Sequence, residues 1–502
     1  MTYIVDDGYV IIQYMYKSKK LTFIRYFYEL IDIINHMSSK LDEYLARIDR
    51  LPTWGLSYAL LWALGIGYFA TLYDAVSNLG YALPFIPFIN TIQASIIVSV
   101  GLAGYIIGSI GFGIASDRIG RRLVLITTFA LLGIGSLGMG LATNYLMLFI
   151  FRMLEGIGIG AGLNLAMVYI AEFSPSMKRG KYANWIFISG WTAVGIGTVV
   201  AAFIVTISPT LGWRIIFLLP AVLAIITTVI LAISSPESVR ILVKKGRIQD
   251  VEKIVNRMEE VSMKRAKIQS LPQPKIVHYQ EVPSYSQLKI LGESKYLKRL
   301  ISLTIFWFFI YFIQYTSTGL GPTFVKVVVG FTPAQYAEYI RLSGFAAIGA
   351  TIISFILLGI VEKTDRRLLT QIGGIGFLIS SFVSTYLLLN KELITWFIAY
   401  FLLEFVVNPP YLAGYLMSSE AFPTAVRSTG FAITDGIGHL GGVIGPLLLF
   451  PLIEIIGPLP AWVILGLPAP FAAALLWFTI PKTVGVRLEE VNEAYREGTA
   501  QR

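Results

Sequence analysis

The sequence predicts an all-α membrane protein of twelve transmembrane helices in two pseudo-symmetric six-helix bundles, and three observations carry that prediction. The first is composition: of 502 residues, 55% are hydrophobic and only 14% charged, where a soluble domain carries roughly 25% charged residues. The second is patterning. The apolar runs Thr91 to Phe112 and Leu123 to Ala142 contain no charged residue, and each is long enough to cross a bilayer, which takes about 20 residues. The third is repetition of the charged loops between such runs, taken up below.

Read in order, residues 1–52 form a polar, aromatic and charged tail without the apolar core of a cleavable signal. Met37 opens MSSKLDEYLARIDRLP, with Leu41, Leu45 and Ile48 on one helical face. Met37 is either internal or an alternative start. The first bundle, 53–234, holds spans near 54–79, 91–114, 123–142, 145–170, 183–207 and 213–234. A basic segment, 235–298, follows, and Ile248 to Ile268 in it reads as an amphipathic helix at the inner membrane face. The second bundle, 299–480, holds spans near 299–326, 333–360, 368–389, 392–417, 428–455 and 458–480. Residues 481–502 close the chain as a charged tail.

The net charge is +10, but nearly all Lys and Arg lie in the tails and in alternate loops; Arg152, Arg214, Lys326, Arg341 and Lys391 are the exceptions. That asymmetry is the positive-inside bias. It predicts a multi-pass protein of the cell membrane with both termini cytoplasmic, and it explains the basicity without nucleic acid. There is no cysteine, which excludes disulfides, zinc–thiolate sites and thiol catalysis, and the histidines are His36, His278 and His439 alone. No nucleophile–base set or metal cluster emerges, so neither an enzyme nor a cofactor is expected. The expected partners are lipid, protons and a small solute. Oligomeric state has no signature in the sequence.

The charged loops repeat in register. Asp117-Arg118-Ile119-Gly120-Arg121-Arg122 follows the second span and Glu362-Lys363-Thr364-Asp365-Arg366-Arg367 the eighth. Glu172-Phe173-Ser174-Pro175 with Arg179 follows the fourth, and Glu420-Ala421-Phe422-Pro423 with Arg427 the tenth. Two different loops copied across a halved chain indicate duplicated halves. Gly113-x-x-x-Asp117-Arg118-x-Gly120-Arg121-Arg122 resembles the loop between helices 2 and 3 of the major facilitator superfamily. Tyr169-Ile-Ala-Glu172-x-x-Pro175-x-x-x-Arg179-Gly180, Pro236-Glu237-Ser238-x-Arg240 and Arg152-x-x-x-Gly156-x-Gly158-x-Gly160 are similar to signatures of its sugar porter branch.

The resemblance implies secondary transport by alternating access. It implies that Asp117, Arg118, Arg121, Arg122, Glu172, Arg179, Glu362, Arg366, Glu420 and Arg427 latch the cytoplasmic side in the outward-facing state. Breakable charge pairs suit that role, since a partly wet pair is worth about 0–1 kcal/mol and a network biases a two-state equilibrium. Tyr73-Asp74 resembles the first-helix aspartate of proton-coupled sugar porters, with Arg152 its partner on the fourth span and Glu155 one turn from Arg152. An arginine that approaches and leaves a carboxyl near low dielectric moves its proton affinity, which is coupling. Asp435 and His439, four apart on one face, are either a second titrating pair or a satisfied interhelical hydrogen bond.

Midplane polar and aromatic residues supply the candidate solute contacts: Asn164, Trp191, Gln314, Tyr315, Ser317, Asn408, Tyr411 and Tyr415, with Pro409 and Pro410 breaking the tenth span. Aromatic faces with amides and hydroxyls suit a sugar ring; they also suit a carboxylate held by an arginine. Where sugar porters carry paired glutamines on the seventh helix, one, Gln314, is present. The fifth-helix glutamine is replaced by Phe187 and the tenth-helix tryptophan by Tyr415. The expected function is therefore proton-coupled symport of a small polar, sugar-like solute; the alternatives are symport of an organic or aromatic carboxylate, and passive uniport.

Overall fold

Helix starts on the loops are written locally. Asn90 and Gln93 form a reciprocal capping box, as do Thr332 and Gln335 ahead of Pro333, and the Asn144 side chain accepts from the Met147 amide at 2.9 Å. Such caps satisfy amides that would otherwise be left unbonded at helix ends. The computed structural model describes residues 39–175, 178–276, 289–361, 363–423 and 426–484. Among these, twelve helices are long and apolar enough to cross a membrane: α1 (Tyr58–Ser77), α2 (Thr91–Ser116), α3 (Arg121–Gly140), α4 (Tyr145–Phe173), α5 (Lys181–Ile207), α6 (Gly212–Ser234), α7 (Ser294–Val329), α8 (Pro333–Leu357), α9 (Arg366–Leu389), α10 (Leu393–Glu420), α11 (Thr429–Ile456) and α12 (Pro458–Thr479). Met37 and most of both tails lie outside the described residues.

Between α2 and α4 the seam is glycine. A Cβ on Gly104 or Gly108 would meet backbone of Met153 to Ile157, and one on Gly156 or Gly160 would meet backbone at Gly101 or Tyr105. Without a hydrophobic drive between helices in lipid, this close backbone approach supplies the packing energy. Gly156→Val should therefore lower the thermal midpoint in detergent, with a cost at the upper end of the about 1–3 kcal/mol typical of overpacking.

Several contacts join the first six and last six spans. Ser99 Oγ on α2 donates to the Val443 carbonyl on α11 at 2.7 Å, Thr351 Oγ1 on α8 donates to the Trp191 carbonyl on α5 at 3.1 Å, and Gly80, just past α1, lies against the Thr318 carbonyl on α7. On the face away from the charged loops the halves are also tied by Tyr81 and Ser343 hydroxyls at 3.0 Å and by Lys326 donating to the Pro84 carbonyl. Toward the charged loops they part around a cavity of about 1460 Å³, whose wall reaches Gly113, Ser116 and Arg121 on one side and Ser419 and Arg427 on the other.

On the charged-loop face, a helix over 39–49 packs on the helix Ile248–Ala266. The periodicity that marks Ile248 onward as amphipathic is present, but its apolar stripe is not laid on lipid. Val251, Val255 and Met258 are fully buried against Tyr44, Ile48 and Trp54 of the same chain. In the helix over 39–49, Tyr44 and Ile48 face inward, with Leu41 and Leu45 at the margin. Arg47 and Arg50 both reach Glu259, at 2.7 Å each, and Arg179 reaches Asp49 at 3.1 Å. Burial alone would raise Glu259, but the hydrogen bonds from Arg47 and Arg50 outweigh it and hold the carboxyl below its ordinary range. A depressed carboxylate stabilises the folded state fully above its unfolded value, about 4.3, and loses that contribution as pH falls through the lower folded value. Protection of the amides of residues 39–49 against hydrogen exchange, relative to an unstructured chain at the same pH, should thus fall as pH drops below about 4.3, and Glu259→Gln should lower it at neutral pH.

Candidate functional site

Asp74 sits in an irregular turn. Within α1 the chain widens from α- to π-helix over Tyr73–Ser77, and α5 does the same over Ala193–Gly197. The two wide turns face each other: Ser77 Oγ donates to the Ala193 carbonyl at 3.0 Å, and Gly197 leaves room for the Tyr73 ring. Such bulges free carbonyls and re-aim side chains, and they concentrate at functional sites. Here the bulge points Asp74 at α3 and α4, where it is 0% exposed.

Around Asp74 the contacts form a chain. Ser136 Oγ on α3 lies 2.6 Å from Asp74 Oδ2, 2.9 Å from the Leu132 carbonyl and 3.0 Å from Glu155 Oε1. Asn78 donates to the other Asp74 oxygen. Glu155 Oε2 takes Arg152 Nη1 at 2.5 Å, and the guanidinium lies on Gly101, where a Cβ would collide with it. The sequence pairs Arg152 with Asp74; the structure pairs Arg152 with Glu155 and puts Asp74 one hydroxyl further on. Three residues apart on a helix, Arg152 and Glu155 are natural neighbours, and Asp74 has neutral donors of its own.

The cavity wall contains all eight residues chosen as solute contacts: Asn164, Trp191, Gln314, Tyr315, Ser317, Asn408, Tyr411 and Tyr415. Their availability differs. Asn164 donates to Ser109 at 2.8 Å and Asn408 to Glu404 at 2.7 Å, whereas the Gln314 amide oxygen is buried without a partner. Asp435 and His439 also line it. Asp435 accepts from Tyr311 on α7 at 2.7 Å and from Tyr105 on α2 at 3.2 Å, so one carboxyl ties both halves. His439 is packed between the Tyr105 and Tyr311 rings, each centred 4.0 Å away, with Nδ1 at 2.8 Å from the Asp435 carbonyl. Ser136, Tyr105 and Tyr311 were not among the sequence-chosen residues. A lone serine in the glycine-rich run of α3 and tyrosines inside apolar spans are the signals that mark them.

The loop motifs assemble within each half. Glu172 pairs with Arg121 and lies 3.6 Å from Arg240; Tyr169 donates to the Pro236 carbonyl at 2.6 Å. Gly120 takes φ +134°, where a side chain would also strike the Glu237 carboxylate. That carboxylate caps α3, accepting from the Arg122 amide at 3.1 Å, and Arg122 itself donates to the Ala232 carbonyl at 2.6 Å. In the second half Arg366 pairs with Glu420. Arg118 is exposed, Arg427 lines the cavity mouth, and Glu362 and the Asp117 side chain lie outside the described residues. In this conformation the named pairs knit each half rather than join the two, as an open charged-loop face requires.

Twelve spans among the described residues, enclosing a tyrosine-lined cavity between two halves, define a membrane transporter rather than an enzyme. The chain belongs to the family of sugar (and other) transporters, whose model matches residues 23–495. It is 27% identical over 418 residues to the niacin transporter of Acinetobacter baylyi, covering 81% of this chain and 89% of that protein. It is 26% identical over 438 residues to polyol transporter 5 of Arabidopsis thaliana, covering 81% and 80%. In structure it is similar to the inward-open xylose transporter XylE of E. coli, with a TM-score of 0.62 and 20% identity over 87% of this chain and 99% of that one. The fold is thus that of the major facilitator transporters.

Proposed function

We propose that the protein is a proton-coupled symporter of a small polar organic solute, that it works by alternating access, and that the charged-loop face and both termini are cytoplasmic. The halves 53–234 and 299–480 would rock about the cavity, and the conformation described above would be the inward-open one. The charged loops would latch the cytoplasmic side when the halves swing shut there. The observation that carries proton coupling is the Asp74–Ser136–Glu155–Arg152 chain. With Arg152 charged and both carboxyls ionised, the buried cluster holds one excess negative charge, which is costly within a membrane. One proton removes it. The same proton completes the bonding: Ser136 has one hydrogen and three acceptors around it, so a second contact becomes a hydrogen bond only when Asp74 or Glu155 carries a proton. Asp435 and His439 offer a second exchangeable pair inside the cavity itself.

The test is uptake into proteoliposomes of a panel of pentoses, polyols, aromatic acids and amines. A symporter accumulates its solute when the inward proton gradient is imposed and stops when it is collapsed. Uptake that ignores the gradient would leave passive uniport. Single cysteines placed in this cysteine-free chain at the exposed positions Lys245 and Thr210 should react from the cytoplasmic and the outer side respectively.

A further inference from the structure

Charge is distributed unevenly along the cavity wall. Among its described lining residues the only arginines or lysines are Arg121 and Arg427, both at the charged-loop mouth, and Arg121 is held by Glu172. Deeper, the ionisable groups are acids, Glu404 and Asp435, beside His439 and many tyrosines. Asp435 is engaged at both oxygens by Tyr105 and Tyr311. Asp435 also has the His439 ring beside it, with Nδ1 at 3.7 Å; Glu404 has no such neighbour among the described residues. It accepts from Asn408 Nδ2 at 2.7 Å and from Tyr400, both neutral donors, and among the described residues no cation lies within ion-pair distance.

The backbone sets this up. Asn408 lies between the helical segments Leu393–Val407 and Pro409–Glu420 of α10. Pro409 and Pro410 have no backbone N–H to donate, and the Asn408 side chain donates to the Glu404 carbonyl at 2.7 Å as well as to the carboxylate. A broken helix at the midplane is where transporters place solute sites. Tyr81, Tyr400 and Tyr411 line the same cavity wall as Glu404, and aromatic faces attract cations. On the same wall the Gln314 amide oxygen is a buried acceptor with no donor. A carboxyl, an orphan acceptor and aromatic faces together ask for a ligand that brings N–H donors and positive charge.

We propose that Glu404, with Tyr81, Tyr400, Tyr411 and Gln314, forms a subsite for a basic nitrogen, so that the transported solute is an amine or protonated nitrogen heterocycle. This rests on the cavity being the solute's route. It assigns the deep wall to a cation and leaves a carboxylate no counter-charge there.

The experiment uses three probes of one size, benzylamine, benzyl alcohol and benzoate, titrated calorimetrically into the purified full chain at neutral pH with no gradient. Benzylamine should bind tightest. Glu404→Gln should weaken benzylamine by about tenfold or more, the loss of a charge-assisted bond, and leave benzyl alcohol unchanged. Tightest binding by benzoate, equal binding of all three, no measurable binding of benzylamine, or equal weakening of all three by Glu404→Gln would overturn the proposal. Should Glu404→Gln fail to fold, the ranking on the unmodified chain decides. Because no gradient is imposed, failure here leaves proton coupling standing. Gradient-independent uptake of an amine that does bind would sink coupling and leave the subsite.

Discussion

Asp74→Asn should abolish proton-driven accumulation and leave solute exchange intact. For one proton per solute, each pH unit of gradient supports up to about tenfold accumulation; the variant's steady-state ratio should fall to one, while counterflow between equal internal and external pH continues. The argument is steric as much as electrostatic. Asparagine keeps the volume and can still engage Ser136 and Asn78, which contact Asp74 at its two oxygens. What it cannot do is exchange a proton, and it leaves the cluster permanently neutral, with Arg152 and Glu155 paired at 2.5 Å. Glu155→Gln should behave differently. It removes the partner of a fully buried arginine, a change that costs about 3–5 kcal/mol when nothing replaces the charge. A lowered thermal midpoint together with lost transport is expected there, against lost coupling with an unchanged midpoint for Asp74→Asn. If Asp74→Asn still accumulates solute under a proton gradient, the proton is carried elsewhere, and Asp435 with His439 is the next place to look.

The two variants also show how far the sequence reaches. That Asp74, Arg152 and Glu155 are ionisable groups inside apolar runs is visible in one dimension, because charge in hydrocarbon is costly enough to stand out. Which of them pair is not, since it depends on the π-turn at Tyr73–Ser77, which lies against an equally irregular turn of α5. The twelve spans were legible because the membrane forces every backbone amide to bond within its own helix, so length and apolarity suffice. The motif loops were legible by spacing, yet their contacts were not: Glu237 caps α3 across 115 residues of chain, and no periodicity reports that. Tyr105 and Tyr311 look like core aromatics in their runs. Only the approach of α2 and α7 to α11 turns them into donors to Asp435. The linker helix shows the amphipathic period expected of it, but the period does not say what covers the stripe: Val251, Val255 and Met258 have the same pattern whether lipid or Trp54 lies against them.

Gly80→Leu should hold the transporter open on the face that is shut in this structure. Gly80 follows α1, and any Cβ there would run into the Thr318 carbonyl of α7; its neighbour Gly319 is pressed in the same way against Val98 of α2. These contacts cross between the halves, so relief comes from parting the halves rather than from repacking either one. A clash of a few kcal/mol borne by one state alone is a large bias: about 2.7 kcal/mol shifts the ratio of two states about a hundredfold. In the other state the new side chain would face the opened cleft, and the fold should survive with a near-normal thermal midpoint. Reporter cysteines read the outcome. Ser343→Cys, buried here beside Tyr81, should become reactive in the Gly80→Leu background, and Ser419→Cys at the charged-loop end of the cavity should become protected. Net transport should fall to background because the cycle stalls, and Gly80→Ala should give the same changes in smaller measure. Protection of Ser343→Cys in a folded Gly80→Leu protein would mean that this face is a fixed wall, and rocking of the two halves about the cavity would have to be abandoned.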